Sequence, residues 1–219
     1  MERGKIKVLV ACEYSGIVRD AFARQGFEAW SCDILDTEVP GNHYKGSVLD
    51  IINDGWDIMI GHPPCTYLTF SGKKYWNEPG RVFKRLEALT FFATLLEANI
   101  PHICIENPMG CADAAIRKHD QVIHPYYFGD RELKRTCLWL KDLPKLVHSA
   151  NTNLFEQGTH TEYPEPVYID KSGKKRYLTD SIKGINGGGH KRSRFFEGIA
   201  NAMAKQFGDY VFNKLNDIK

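Results

Sequence analysis

Three side chains stand where this chain can do chemistry. Cys65 follows Pro63 and Pro64 at the end of the apolar run Ile58-Met59-Ile60. Each proline fixes φ at about −65° and removes a backbone donor, and Pro64 keeps Pro63 out of the helical region. A thiol held stiffly at the carboxyl end of a buried strand lies where open α/β sheets place ligands and chemistry. The same features also suit a loop stiffener beside an inert, half-buried thiol. Glu106, with Asn107 and Pro108, ends the run that starts at His102; a carboxylate at such a tip is either a satisfied structural acid or a catalytic one. Asp33 closes the run 27–32, placed to hydrogen-bond a ribose hydroxyl or simply to form a turn.

The elements that must carry these residues alternate between strand and helix. Residues 6–12 are apolar and β-branched, which predicts a buried first strand. Glu13-Tyr14-Ser15-Gly16 is its turn, and Ile17, Ala21 and Phe22 begin an amphipathic helix capped near Gly26. Residues 27–32 predict a second strand. The aromatic, basic stretch 66–76 predicts a loop over the site, with stacking of a base on Tyr67, Tyr75 or Trp76 open to it. Val82, Leu86, Leu89, Ala93 and Leu96 recur at helical spacing, predicting a helix over 81–98 whose stripe covers the sheet. Residues 102–105 predict another strand. Tyr126-Tyr127-Phe128-Gly129 predicts a strand and turn, with 134–140 as its antiparallel partner.

The composition narrows the class. With 219 residues, a single domain with a small insert is expected. The net charge is +2, so any basic face is local. None of the six cysteines sits in a C-x-x-C pair, which argues against a zinc site and against a disulfide scaffold. The N-terminus leads straight into a strand and no apolar run reaches spanning length, so a soluble, cytoplasmic protein with no membrane partner is expected. Residues 149–189 are polar, with a hairpin turn expected at Lys171-Ser172-Gly173-Lys174. Lys174, Lys175, Arg176, Lys191, Arg192 and Arg194 crowd this stretch and its exit, as a candidate phosphate-contacting patch or as a solvated loop.

In order, the turn with Gly16, Asp33, Pro63-Pro64-Cys65, Glu106-Asn107-Pro108, the basic Lys134-Arg135 segment, the polar insert and a closing helix resemble the cytosine-C5 DNA methyltransferase family. The likeness is to its small phage- and prophage-encoded members. Pro63-Pro64-Cys65 resembles the nucleophile motif, Glu106-Asn107-Pro108 the Glu-Asn-Val motif, residues 11–16 the cofactor loop, and Gly46-Ser47-Val48 the Gly-Asp-Ile motif. The chain departs from the family in having only Gly16 in the cofactor loop and Ser47 in place of an acid. It also has Glu132-Leu133-Lys134-Arg135 for Gln-x-Arg-x-Arg, and a short region where the target-recognition domain would lie.

The resemblance implies a Rossmann-like S-adenosylmethionine-dependent α/β fold, mostly parallel, with flanking helices and a small inserted lobe. It divides the chain into a catalytic domain at 1–148, a recognition lobe or loop at 149–194 and a closing helix at 195–219. It places S-adenosylmethionine against Ala11, Cys12, Glu13, Tyr14, Ser15 and Gly16, with Asp33, Ile34, Ser47 and Pro63 around it. It implies that the Cys65 thiolate adds to cytosine C6. Glu106, its pKa raised by burial, then protonates N3, and Arg135 holds the O2 edge or a phosphate. Pro64, Asn107, Lys134 and the basic residues of the insert would meet the substrate: cytosine-containing DNA with its base flipped out, a single strand, or a free nucleotide. No obligate protein partner is evident. Two rivals remain: an enzyme using the same cysteine on a free pyrimidine nucleotide, and a non-catalytic nucleic-acid-binding protein on a relict methyltransferase fold.

Overall fold

The computed structural model describes residues 2–148, 163–177 and 195–217. Lys7–Ala11 forms β1, with Val8, Leu9, Val10 and Ala11 fully buried. Successive side chains of a strand face opposite sides, so Val8 and Val10 join one core cluster while Leu9 and Ala11 join the other. The strand is buried on both faces, which is why its sequence is a continuous apolar run. Helix α1 follows at Ile17–Arg24, then β2 at Glu28–Asp33 and β3 at His43–Lys45. β4 is Ile58–Gly61, α2 Arg81–Leu96 and β5 His102–Asn107. The short α3 (Ala112–Ala115) leads to β6 at Gln121–Ile123 and β7 at Thr136–Lys141, and α4 closes the chain at Glu197–Asp217.

The seven strands lie in the order β3-β2-β1-β4-β5-β7-β6. The β1–β5 strands pair in parallel, and β7 runs antiparallel to both β5 and β6. This is the expected fold class: a Rossmann-like α/β architecture, mostly parallel, with flanking helices. α1 and α4 pack on one face, where Phe22, Ile199, Met203 and Phe207 meet Val8, Val10, Ile58 and Ile60. On the other face Phe92, Leu95 and Leu96 of α2 meet Leu9, Met59, Ile103 and Ile105. Among the described residues no helix is long and apolar enough to cross a membrane.

Two elements differ from expectation, and a third keeps its expected turn. The stripe of α2 is not the one its apolar spacing suggests: Val82 and Leu86 are exposed, and the buried residues are Phe92, Leu95 and Leu96. The first half of the helix lies against the loop after Cys65, through Arg81 and Arg85, and not against the sheet. Tyr126-Tyr127-Phe128-Gly129 is not a strand but a 3-10 helix, Pro125–Phe128, stopped by Gly129 at φ 103°. Pro125 presets its first turn, and β7 pairs instead with β6. The insert's described part is a hairpin of β8 (Tyr168–Ile169) and β9 (Lys175–Arg176), turning at the expected residues. Asp170 closes it by accepting from Ser172, Lys174 and Arg176.

Candidate active site

The paired row Cys32, Ala11, Gly61 and Ile105 crosses four parallel strands. One residue further on, Asp33, Cys12, His62 and Glu106 therefore stand side by side along the carboxyl edge. The strand order reverses at β1 and β4, and open α/β sheets bind ligands in the crevice at such a switch point. A Cβ on Gly61 would come within 2.6 Å of Ile105 Cδ1, so a larger residue here would push that side-chain tip aside.

The cysteine loop is clamped to the β5 tip. Asn107 Nδ2 donates to the Pro63 carbonyl at 2.7 Å. Beyond Cys65, Phe70 N–H donates to the Met109 carbonyl and Cys111 N–H to that of Leu68, and Thr69 and Gly110 form a β-bridge. A Cβ on Gly110 would lie 2.1 Å from the Leu68 carbonyl oxygen, so the approach of the two loops depends on that glycine. Leu68 and Thr69 both donate to the Cys65 carbonyl at 3.0 Å, so a tight turn begins at the half-buried thiol.

Glu106 is buried beside His62, whose Nδ1 is 3.4 Å from its Oε2. Burial pushes the carboxyl pKa up, but the His62 hydrogen bond and the charges of Lys134 and His62 outweigh it, and the net direction is down. This corrects the expectation of a pKa raised by burial, which took no account of these two cations. Glu106 Oε1, His62 Nε2 and Asn107 Oδ1 are buried without a protein partner. Three unsatisfied polar atoms along one edge are costly unless a ligand meets them.

The expected cofactor residues divide. Cys12 takes a left-handed φ of 61°, which turns the chain at the β1 tip. Its thiol is pushed up to about 12 by burial and by Asp33. Gly16 also has a positive φ, 76°. Glu13 faces inward: it is buried and accepts from the Val18 and Arg19 amides at the start of α1, and from the Ser15 hydroxyl. That carboxylate caps the helix N-terminus. Ser47 is likewise a cap, accepting from Leu49 N–H. Arg19, 1 % exposed, reaches Asp20, Ser31, Thr37 and the Val39 and Pro40 carbonyls, fixing the loop beside the site.

The residues fit S-adenosylmethionine at its ribose end. Asp33 Oδ1 accepts from Leu35 N–H at 3.0 Å, which leaves the other oxygen for a hydroxyl. Ile34 beside it is 75 % exposed, an apolar surface for the adenine. A groove of about 420 Å³ runs from Ser15, Gly16 and Ile17 past Asp130 to Phe195 and Phe196, joining the turn after β1 to the entry of α4.

The expected substrate cations are dispersed. Arg135 is exposed and touches Met109 Sδ at 3.1 Å; the cation that acts on Glu106 is Lys134, which also lies over the Phe196 ring. Arg176 is ion-paired with Asp170 at 2.7 Å, and Lys174 and Lys175 are exposed on the hairpin. Lys191, Arg192 and Arg194 lie outside the described residues. A basic ledge, divided in sequence between the loop after Cys65 and the start of α2, brings cations onto aromatic rings. Arg81 lies over Tyr67 and Tyr75, Lys84 over Tyr67, Lys74 over Tyr75, and Arg85 over Trp76 at 4.3 Å. Interleaved Lys, Arg and aromatic residues over 67–85 were its signal in the sequence. His62 and Phe195 were also missed, because their roles come from neighbours distant in the chain.

No protein-family model and no curated protein matches the chain. Solved structures that resemble it include methyltransferases. A protein described as a DNA modification methyltransferase encoded within an E. coli prophage aligns with TM-score 0.42 and 16% identity, covering 62% of this chain and 46% of its own. The 16S rRNA methylase RmtB aligns with TM-score 0.31 and 14% identity, covering 64% and 55%. The Entamoeba histolytica methyltransferase EhMeth aligns with TM-score 0.42 and 14% identity, covering 98% and 99%. The chain thus spans about half the length of the first two.

Proposed function

We propose that this chain belongs to the cytosine-C5 DNA methyltransferase family and moves a methyl group from S-adenosylmethionine to cytosine C5 through a covalent Cys65 adduct. The observation that carries this reading is the clamp between the two tips. A rigid thiol loop is bonded through Pro63 and Asn107 to the strand that ends in Glu106, beside an edge that offers Asp33 to a ribose.

The Cys65 thiolate forms a bond to cytosine C6. The C5=C6 pair moves to C4=C5, and the C4=N3 pair moves to N3, where it takes a proton from the Glu106 side. C5 of the resulting enamine is the nucleophile. Bound S-adenosylmethionine supplies an electrophilic methyl carbon. Asp33 orients its ribose, and the clamp holds the thiol within reach of the ring. Attack from C5 re-forms C4=N3, and N3 returns its proton to the Glu106 side; loss of the C5 proton to water then restores the C5=C6 bond and expels Cys65 as thiolate. Replacing Asp33 with Ala should weaken S-adenosylmethionine binding by about 1–3 kcal/mol, the size of a lost charge-assisted hydrogen bond. Isothermal calorimetry checks this, and an unchanged affinity would place the ribose elsewhere.

The ledge beside Cys65 suits a polynucleotide better than a free nucleotide, because its cations and rings extend well beyond one base. Trp76 Nε1, Arg81 Nε and Arg85 Nε are buried there without protein partners. A Lys74/Lys84→Ala variant should weaken binding to all oligonucleotides alike and flatten the salt dependence by about one unit of slope per charge removed. The matching Lys174/Lys175/Arg176→Ala variant tests whether the hairpin shares that task. If neither changes the slope, a free pyrimidine nucleotide becomes the favoured substrate.

A further inference from the structure

β4 and β5 are in register at Gly61 and Ile105, which sets His62 and Glu106 next to each other one step past the pairing. Their side chains are 12% and 10% exposed. The His62 ring is held from behind by Phe195, with centroids 4.6 Å apart, and the His62 backbone N–H donates to the Ala11 carbonyl at 2.9 Å. Glu106 of β5 is the charged group in contact with the imidazole; the register sets Cys12 of β1 on the other side of His62, Lys134 acts on Glu106, and Cys65 follows three residues on in the same loop. The wall from the entry of α4 is the uncharged Phe195. A contact of 3.4 Å is long for a hydrogen bond, but such contacts at catalytic sites tighten when substrate binds.

The methyl transfer proposed above needs a proton at N3, and a Glu106 kept ionised by its two cationic neighbours has none to give. We propose that His62 is a positioning residue that loads Glu106 with the proton it delivers. The imidazolium Nδ1–H bond breaks as a carboxyl O–H forms, and that proton moves to N3 as the C4=N3 electron pair arrives there. Glu106 returns to carboxylate, His62 is left neutral, and the lost positive charge balances the negative charge that the Cys65 thiolate brings to the ring. The inference rests on the Cys65 reading, and half of its test is independent of that reading.

The first measurement is an NMR titration of the protein without substrate, with the His62 signal assigned by its absence in His62→Asn. In Glu106→Gln the His62 midpoint should fall by about one unit or more, as expected when an opposite charge within a few ångströms is removed. A midpoint that stays put would overturn the pairing, whatever the enzyme does. The second is the pH profile of kcat/KM on a cytosine oligonucleotide. His62→Asn keeps an N–H able to reach Glu106 but cannot pass a proton. It should lose about 100-fold in kcat at neutral pH with little change in KM. Its alkaline limb should move to lower pH, and adding Glu106→Gln should cost little more. Wild-type kcat and profile in His62→Asn would overturn the relay and leave the Cys65 mechanism standing. An absence of any cysteine adduct in the wild type would overturn both.

Discussion

Cys65→Ala should abolish turnover while leaving the affinities for S-adenosylmethionine and for oligonucleotide close to those of the parent. The thiol is the atom that bonds to C6, and an alanine methyl group offers nothing in its place. The structure gives a reason to expect that the rest survives. The loop is held by backbone and neighbouring groups: the Pro63 carbonyl with Asn107, and the Cys65 carbonyl with Leu68 and Thr69. None of these bonds uses the Sγ atom, and the thiol is only half buried, so its removal opens little cavity. Single-turnover assays with radiolabelled methyl donor, run beside calorimetric binding, separate the two effects. Residual turnover near that of the parent would mean that the cysteine only fills space.

Glu106→Gln should lower kcat by about 10²–10⁴-fold, the usual worth of a positioned general acid. The change keeps the shape of the side chain and its ability to hydrogen-bond. It removes the group that relays a proton and takes away the carboxylate beside His62. Because burial alone would raise the Glu106 pKa, and His62 and Lys134 reverse that, the variant also tests the electrostatic balance of the edge. KM should change little, since the contribution is made as charge builds on the ring and not on binding. Rapid-quench kinetics over a range of pH checks both statements. A kcat within about threefold of the parent, against the loss expected from general-acid catalysis, would leave Glu106 as a structural acid.

Much of the frame was legible because local composition and final environment agree. The apolar runs at 6–12, 58–60 and 102–105 became central strands buried on both faces, and the paired prolines marked the loop that carries the thiol. Misreadings came where tertiary position overrode local pattern. Val82 and Leu86 have the spacing of a buried stripe, but α2 begins beyond the sheet and only its second half reaches the core. Tyr126, Tyr127 and Phe128 favour strands by composition, yet Pro125 and Gly129 bracket them into a single tight turn.

At the site, residue types could be read and partners could not. A sequence can show that Glu106 ends a strand. It cannot show that β5 lies beside β4 in the register that brings in His62, 44 residues away. The direction of the Glu106 shift depends on that pairing and on Lys134 from a third segment. Glu13 shows the same limit in reverse. Its place in the turn after β1 suits a ligand contact, but the first turn of α1 supplies amide donors five and six residues on that take its carboxylate inward.

Intact-protein mass spectrometry after incubation with S-adenosylmethionine and an oligonucleotide containing 5-fluorocytosine tests the central claim most directly. Fluorine at C5 cannot leave as a proton does, so the final elimination stops and the adduct persists. The account predicts a new species heavier than the chain by the oligonucleotide and one methyl group, with the modification on Cys65 after proteolysis and no such species in Cys65→Ala. A spectrum containing only the unmodified chain, from protein shown by calorimetry to bind both the methyl donor and the oligonucleotide, would contradict it.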